Sequence, residues 1–235
     1  MHVTHRRDGR RGKGFPVIPD IVPSLYAAGP ESAIEAAMAC AEAEDAQFHL
    51  DVMDGRFVPA TGVSLPTIGS VAAAVPGAPL HVHLMVEDSD SQVGAVAEAG
   101  ATTITVHAEA VADVGATLTH IRRLGRGSGV ALSPASDPAS LEGLQSVMDS
   151  ILVMLVHPGR PDQSMIPAML DKIRHTRLLF PDTIIVVDGR LDEASIPLAL
   201  DRGADLFVCG RSVFGGPPAE RLSRLRGLLR HHNGG

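Results

Sequence analysis

His49-Leu50-Asp51-Val52-Met53-Asp54-Gly55 follows the short apolar lead-in Ala46-Gln47-Phe48 and reads as the end of a buried strand. Side chains alternate faces along a strand, so His49, Asp51 and Met53 share one face and Leu50 and Val52 the other. A His and an Asp two apart on one face can reach one metal ion. The stretch His81-Val82-His83-Leu84-Met85 repeats the arrangement, and Ile184-Ile185-Val186-Val187-Asp188-Gly189 is an apolar strand ending in a carboxylate. Three strands that deliver His49, Asp51, His83 and Asp188 at their C-terminal ends make a four-ligand site.

Outward from these strands, the chain alternates. Strand patterns are expected at residues 17–24, 48–52, 80–85, 102–107, 130–132, 151–156, 183–187 and 206–209. Helical patterns are expected between them, at residues 30–44, 67–74, 90–99, 114–124, 138–144, 166–180, 192–202 and 218–230. Glycines such as Gly100 and Gly203 stand just past helix ends, where a helix commonly stops. Eight such alternations predict a single (β/α)8 TIM barrel. A doubly wound open sheet is the rival, and no Gly-x-Gly-x-x-Gly turn follows the first strand to support it. In a barrel the loops after the strands build one site at the C-terminal face.

Composition agrees. Of 235 residues, 45 % are hydrophobic but only 3 % aromatic, so the core must be aliphatic, as suits parallel strands covered by helices. No apolar stretch approaches the roughly 18 residues of a membrane span. Residues 1–14 hold Arg6, Arg7, Arg10, Arg11 and Lys13 against Asp8 and read as a disordered basic tail, with residues 15–235 the catalytic barrel. The tail has no apolar core of a secretory signal. The rest of the chain keeps 26 of the 27 acidic residues and 15 of the 20 basic ones. An acidic body argues against nucleic acid as a partner. Cys40 and Cys209, far apart in apolar settings, read as small buried residues of a reduced protein. The expectation is a cytoplasmic homo-oligomer without a membrane partner.

The motifs resemble the ribulose-phosphate 3-epimerase family over residues 21 to about 214. Pro23-Ser24 matches its first-strand signature. His49 to Gly55, followed by Phe57-Val58-Pro59, matches the long and specific second-strand signature. Val82-His83-Leu84-Met85, then Met154, Pro158-Gly159 and Gln163, then Val187-Asp188-Gly189, match later strands. The resemblance implies a barrel of the ribulose-phosphate-binding type, metal ligation by His49, Asp51, His83 and Asp188, and a small sugar phosphate as partner. Two imidazoles and two carboxylates suit Zn²⁺, Fe²⁺, Mn²⁺ or Co²⁺. Epimerisation beside a ketone removes a proton from one face of a carbon and returns one to the other, so two carboxylates flanking a planar enediolate suffice. Asp51 and Asp188 are expected as acid and base. The implied reaction inverts C3 of a ketose phosphate, D-ribulose 5-phosphate to D-xylulose 5-phosphate. Met53, Met85 and Met154 would form an apolar collar, and Ser24 would bond substrate or a carboxylate.

The resemblance fails in the phosphate loops. Family members carry Gly-Phe-Gly-Gly-Gln after strand six and Gly-Gly after strand seven, backbone nests for phosphate. Here the corresponding runs are Gly159-Arg160-Pro161-Asp162-Gln163 and Gly189-Arg190, and strand eight is followed by Gly210-Arg211-Ser212. Arg160, Arg190 and Arg211 are expected to converge on the substrate anion, or else to splay into solvent or pair with Asp162. The substrate could therefore be another phosphorylated or acidic sugar. His81 stands where the family has Asp and is expected one layer below His83, behind the ligands; His157 and Arg56 also replace usual residues. A lyase using a Schiff base is disfavoured, because the only lysines are Lys13 and Lys172, neither at a strand end. A catalytically dead binding protein is disfavoured by the intact ligands.

Overall fold

The structure, a computed structural model, describes residues 18–41, 46–160 and 162–232, with the side chains of Pro30, His231 and His232 also outside that description. The expected tail at residues 1–14 and the last residues of the expected helix 30–44 lie outside the described residues.

The strands are β1 (Asp20–Pro23), β2 (Phe48–Met53), β3 (Leu80–Met85), β4 (Thr103–His107), β5 (Gly127–Leu132), β6 (Ser150–Met154), β7 (Ile184–Asp188) and β8 (Leu206–Cys209). All ladders are parallel and run in the order β1, β8, β7, β6, β5, β4, β3, β2. One parallel bridge between Ser24 and His49 joins the two ends and closes the barrel. The helices are α1 (Ala33–Ala41), α2 (Leu65–Ala74), α3 (Ser89–Glu98), α4 (Val114–Arg123), α5 (Met169–Leu179), α6 (Ser195–Asp201), α7 (Arg211–Phe214) and α8 (Pro218–His232). The expected alternation is the one that forms.

Several boundaries differ from the sequence reading. β5 begins at Gly127, three residues before the expected Val130, because Gly127-Ser128-Gly129 reads as a loop. A Cβ on Gly129 would lie 2.4 Å from Thr105 Oγ1 and 3.0 Å from Ser150 Oγ, its ladder neighbours on β4 and β6. Glycine is there for room inside the barrel, not for a turn. The helix expected at 138–144 is one 3₁₀ turn, Pro138–Leu141, and α5 starts at Met169 rather than at residue 166. The four-residue α7 after β8 has no counterpart in the sequence reading, because so short a helix shows no periodicity.

Side chains alternate as the pleat requires. Ile21, Leu50, Leu84, Ile104, Val130, Ile151, Ile185 and Phe207 point outward under the helices and are fully buried. Each such apolar side chain contributes roughly 1.5–3 kcal/mol on burial. Val22, Ala131, Leu152, Met154 and Val208 pack inside the barrel with Val186 and Leu206. Its N-terminal end is polar but satisfied. Gln47 bonds His81 Nε2 at 2.9 Å and Asp20 at 3.0 Å, and Asp20 takes Arg226 Nε at 2.7 Å. His81 therefore bonds Gln47, two residues before His83 on β3; burial, then the charge of His49, push its pKa down to about 4. Cys40 and Cys209 are buried free thiols, pushed up by burial to about 11 and about 12.

Two glycine substitutions should have opposite signs. Gly129→Ala should cost about 1–3 kcal/mol by overpacking the barrel interior. Gly94→Ala, within α3 where a Cβ meets nothing within 4 Å, should add about 0.5–1 kcal/mol through helix propensity. Urea unfolding of both variants checks this, and a neutral Gly129→Ala would show that the interior can relax.

Candidate active site

β2 brings His49, Asp51 and Met53 to the mouth of the barrel. The loop that follows is folded back along the strand by Asp54. Its Oδ1 accepts the N–H groups of Arg56 (2.8 Å) and Phe57 (2.9 Å), and its Oδ2 accepts that of Glu87 (2.8 Å). Val63 N–H then bonds the Asp51 carbonyl at 2.8 Å, with Gly62 so close that a Cβ there would lie 2.1 Å from the same oxygen. The backbone under Asp51 is thus held from outside as well as by the ladder.

Four side chains meet at the mouth. One donor atom from each of His49, Asp51, His83 and Asp188 lies within 4.8 Å of all the others. Asp51 Oδ1 is 3.0 Å from His49 Nε2 and 3.3 Å from His83 Nδ1, and Asp188 Oδ2 is 4.0 Å from His49 Nε2. Ser24 Oγ donates to the other Asp51 oxygen at 2.9 Å. Two nitrogens and two carboxylates at this spacing, nearly all buried, could hold a divalent first-row ion.

The electrostatics separate the two aspartates. Burial would raise Asp51, but the charges and hydrogen bonds of His49 and His83 outweigh it and hold the carboxyl far below its usual range. Asp188 is pushed up to about 7 by burial and the Asp51 charge, which the more distant charge of His49 does not offset. Burial lowers the proton affinity of His49, yet the charge and bond of Asp51 and the charge of Asp188 leave it raised. His83 falls to about 4, mainly through burial.

Around this cluster, Met53 and Met85 are buried against Val58 with Phe57 and Ala60. Met154 stands beside Asp188 in the β6–β7 register and packs with the barrel interior. Gly159 has φ +65°, and Val58 lies against it so closely that a Cβ would come within 2.3 Å. Gly189 (φ +127°) is backed by Val156, and Gly210 by Ala27. Gln163 turns its amide to its own loop, donating to the carbonyls of His157 (2.7 Å) and Arg160 (2.9 Å). Ser212 is half-buried in α7.

Of the three arginines, two converge. Arg211 Nη2 is 2.9 Å and Arg190 Nη2 3.7 Å from Asp162 Oδ1, so a carboxylate of the chain's own loop sits between them. Bond and charge of Arg211, then the Arg190 charge, hold that carboxyl below its usual range. Arg160 is exposed and does not join them. Asp162 (φ +55°) and Arg190 (φ +58°) are the only non-glycine residues at positive φ among the described residues. Such strain collects at functional sites.

Sequence reading missed the pair that backs His83. His107, fully buried at the end of β4, places Nε2 at 2.9 Å from His83 Nε2 and Nδ1 at 3.1 Å from Glu109 Oε2. Burial opposes the Glu109 charge, but bonds from His107 and the Ser133 N–H hold it below the usual range. The signal is present in the chain, since His107-Ala108-Glu109 repeats the spacing of His49-Leu50-Asp51 at another strand end.

Comparison with known proteins agrees with this geometry. Solved structures similar in fold include a KGPDC from Streptococcus mutans, at TM-score 0.69 and 13 % identity, covering 92 % of this chain and 100 % of that one. A 3-hexulose-6-phosphate synthase matches at TM-score 0.61 and 20 % identity, covering 89 % of this chain and 97 % of that one. At these identities they speak for the barrel alone. Curated relatives in sequence are each named ribulose-phosphate 3-epimerase. The Bacillus subtilis (strain 168) protein is 36 % identical, covering 76 % of this chain and 85 % of its own. That of Synechocystis sp. (strain ATCC 27184 / PCC 6803 / Kazusa) is 37 % identical, covering 89 % and 94 %. The model of the ribulose-phosphate 3 epimerase family matches residues 20–214, a span that runs from β1 through α7 and takes in all four clustered His and Asp side chains, and the chain therefore belongs to that family of isomerases.

Proposed function

We propose that the protein is a metal-dependent epimerase that inverts C3 of a ketose phosphate, with D-ribulose 5-phosphate to D-xylulose 5-phosphate the leading reaction. One observation carries this reading: His49, Asp51, His83 and Asp188 each place a donor atom within 4.8 Å of the others at the barrel mouth, and the two carboxylates arrive there from different strands, β2 and β7. Pairs whose surroundings push their pKa values apart divide into a base and an acid. Asp51, kept ionised by two imidazoles, takes the C3 proton. Asp188, whose proton affinity burial and the Asp51 charge raise, stands on a strand from another part of the barrel and returns one to the opposite face. The roles exchange in the reverse direction, as inversion requires.

Ser24 holds the Asp51 oxygen that the imidazoles leave open, which fixes the plane of the base. His49, Asp51, His83 and Asp188 would hold a divalent ion, Zn²⁺, Fe²⁺, Mn²⁺ or Co²⁺. When bound, such an ion supplies Lewis-acid stabilisation of the negative charge that develops on the substrate oxygens. Met53, Met85 and Met154 would keep water from the reacting carbon, since a thioether offers it little hydrogen bonding.

The remote end of the substrate would meet Gly159, Arg160, Gln163, Gly189, Arg190, Gly210, Arg211 and Ser212, in the loops where barrels hold phosphate. Here a second reading has its own observation. Arg190 and Arg211 already share the Asp162 carboxylate, so the same chemistry on an acidic sugar fits these guanidinium groups as well as a phosphate does.

Asp51→Asn and Asp188→Asn should each lower kcat by at least about 10²–10⁴-fold, because each removes a proton carrier. Steady-state assays with circular dichroism as a fold control check this, and near-wild-type turnover in either variant would mean that the proton moves elsewhere. For the anion site, Arg190→Ala and Arg211→Ala should raise KM for the phosphorylated ketose more than they lower kcat, because contacts far from C3 serve mostly binding. Asp162→Ala should lower KM by freeing both guanidinium groups, and added salt should erase the gain at this exposed site. If unphosphorylated ketose turned over as fast as the phosphate ester in all three variants, a sugar without phosphate would become the leading substrate.

A further inference from the structure

We propose that His107 and Glu109 are positioning residues that fix the proton of His83 on Nε2 and so present its Nδ1 bare to the site. This rests on the metal reading of the four-residue cluster, and the His83→Ala variant below separates the two. His83 Nδ1 faces the cluster, 3.3 Å from Asp51 Oδ1, so that nitrogen is the one available for ligation. A neutral imidazole that ligates through one nitrogen carries its proton on the other. The proton on Nε2 must then be donated to His107 Nε2 at 2.9 Å, which has to be bare. His107 therefore carries its own proton on Nδ1, where Glu109 Oε2 accepts it at 3.1 Å.

Glu109 sets the direction of this chain. An ionised carboxylate only accepts, so it makes His107 Nδ1 the protonated nitrogen. The opposite polarity would point the Nδ1 lone pair of His107 at a negative charge. Both rings have no exposed surface, so water cannot repair a mismatch, and an unmatched buried nitrogen is costly. Glu109 is itself held by the N–H of Ser133 at 3.2 Å and by the hydroxyl of Ser136. Lys172 anchors that loop by donating to the Ser133 carbonyl at 2.7 Å and the Pro134 carbonyl at 3.3 Å. Stacking at 4.9 Å between the His83 and His107 rings, with Phe57 5.0 Å from His107, keeps the donor and acceptor aligned.

Two measurements on the full chain test this. The first is Co²⁺ affinity, read by visible absorption against a competing chelator. His107→Phe, which keeps the ring but removes the acceptor, and Glu109→Leu should each weaken Co²⁺ binding about 10- to 100-fold. His107→Gln, which retains an acceptor, should restore most of it. The second is the histidine tautomer pattern by long-range ¹⁵N–¹H NMR of the protein loaded with diamagnetic Zn²⁺. It should show a protonated His107 Nδ1 and a protonated His83 Nε2, with both assignments lost in Glu109→Leu. Unchanged Co²⁺ affinity in His107→Phe and Glu109→Leu, or a bare His107 Nδ1 in the wild type, would overturn the proposal. His83→Ala separates the two levels. If it binds Co²⁺ as well as the wild type, the four-ligand reading fails, while the tautomer pattern still decides the relay.

Discussion

Ser24 and Asp51 meet where the barrel closes. The single bridge between Ser24 and His49 joins the first and last strands of the sheet, and the Ser24 hydroxyl bonds the Asp51 carboxylate at 2.9 Å across the same seam. The meeting of Asp188 with the β2 side chains depends on that closure. Asp188 arrives from β7, three strands away around the barrel, and comes within 4.0 Å of His49 only because the sheet curls until its ends touch. A parallel barrel places the ends of all its strands on one face, so residues distant in sequence become neighbours without any local motif joining them.

The buried charges explain why this arrangement is stable. An isolated carboxylate taken out of water is strongly disfavoured, and it persists when hydrogen-bond donors surround it. Asp51 has the Ser24 hydroxyl and the His49 imidazole, with His83 beside it. Asp188 is raised instead by burial and by the neighbouring Asp51 charge. Behind the imidazoles, His107 and Glu109 extend the same pattern, so that no nitrogen of His83 lacks a partner.

The loops after β6, β7 and β8 follow a different logic. A glycine nest offers neutral backbone donors of fixed geometry. This chain places Arg190 and Asp162 in left-handed conformations that glycine adopts freely, and Asp162 bridges Arg190 to Arg211. These positions carry some backbone strain and bring charged side chains of greater reach.

Much of this is legible in the residues themselves. Alternating polarity on strands determines which face of His49-Leu50-Asp51 looks inward, and repetition of strand and helix patterns determines the barrel, because both depend on local periods of two and 3.6 residues. The four clustered His and Asp residues stand out for the same reason. Other features depend on neighbours that local patterns do not contain. Gly127-Ser128-Gly129 reads as a turn until the barrel interior shows that Thr105 and Ser150 leave no space for a Cβ. Arg160 reads like Arg190 and Arg211 until the loops are placed and only two of the three reach Asp162. His107 and Glu109 carry the spacing of a ligand pair, yet their place behind His83 is set by β3 and β4 lying side by side. The sequence by itself determined which residues face inward; the tertiary structure decided which of them touch, because contact across a barrel is set by register and closure between strands far apart in the chain.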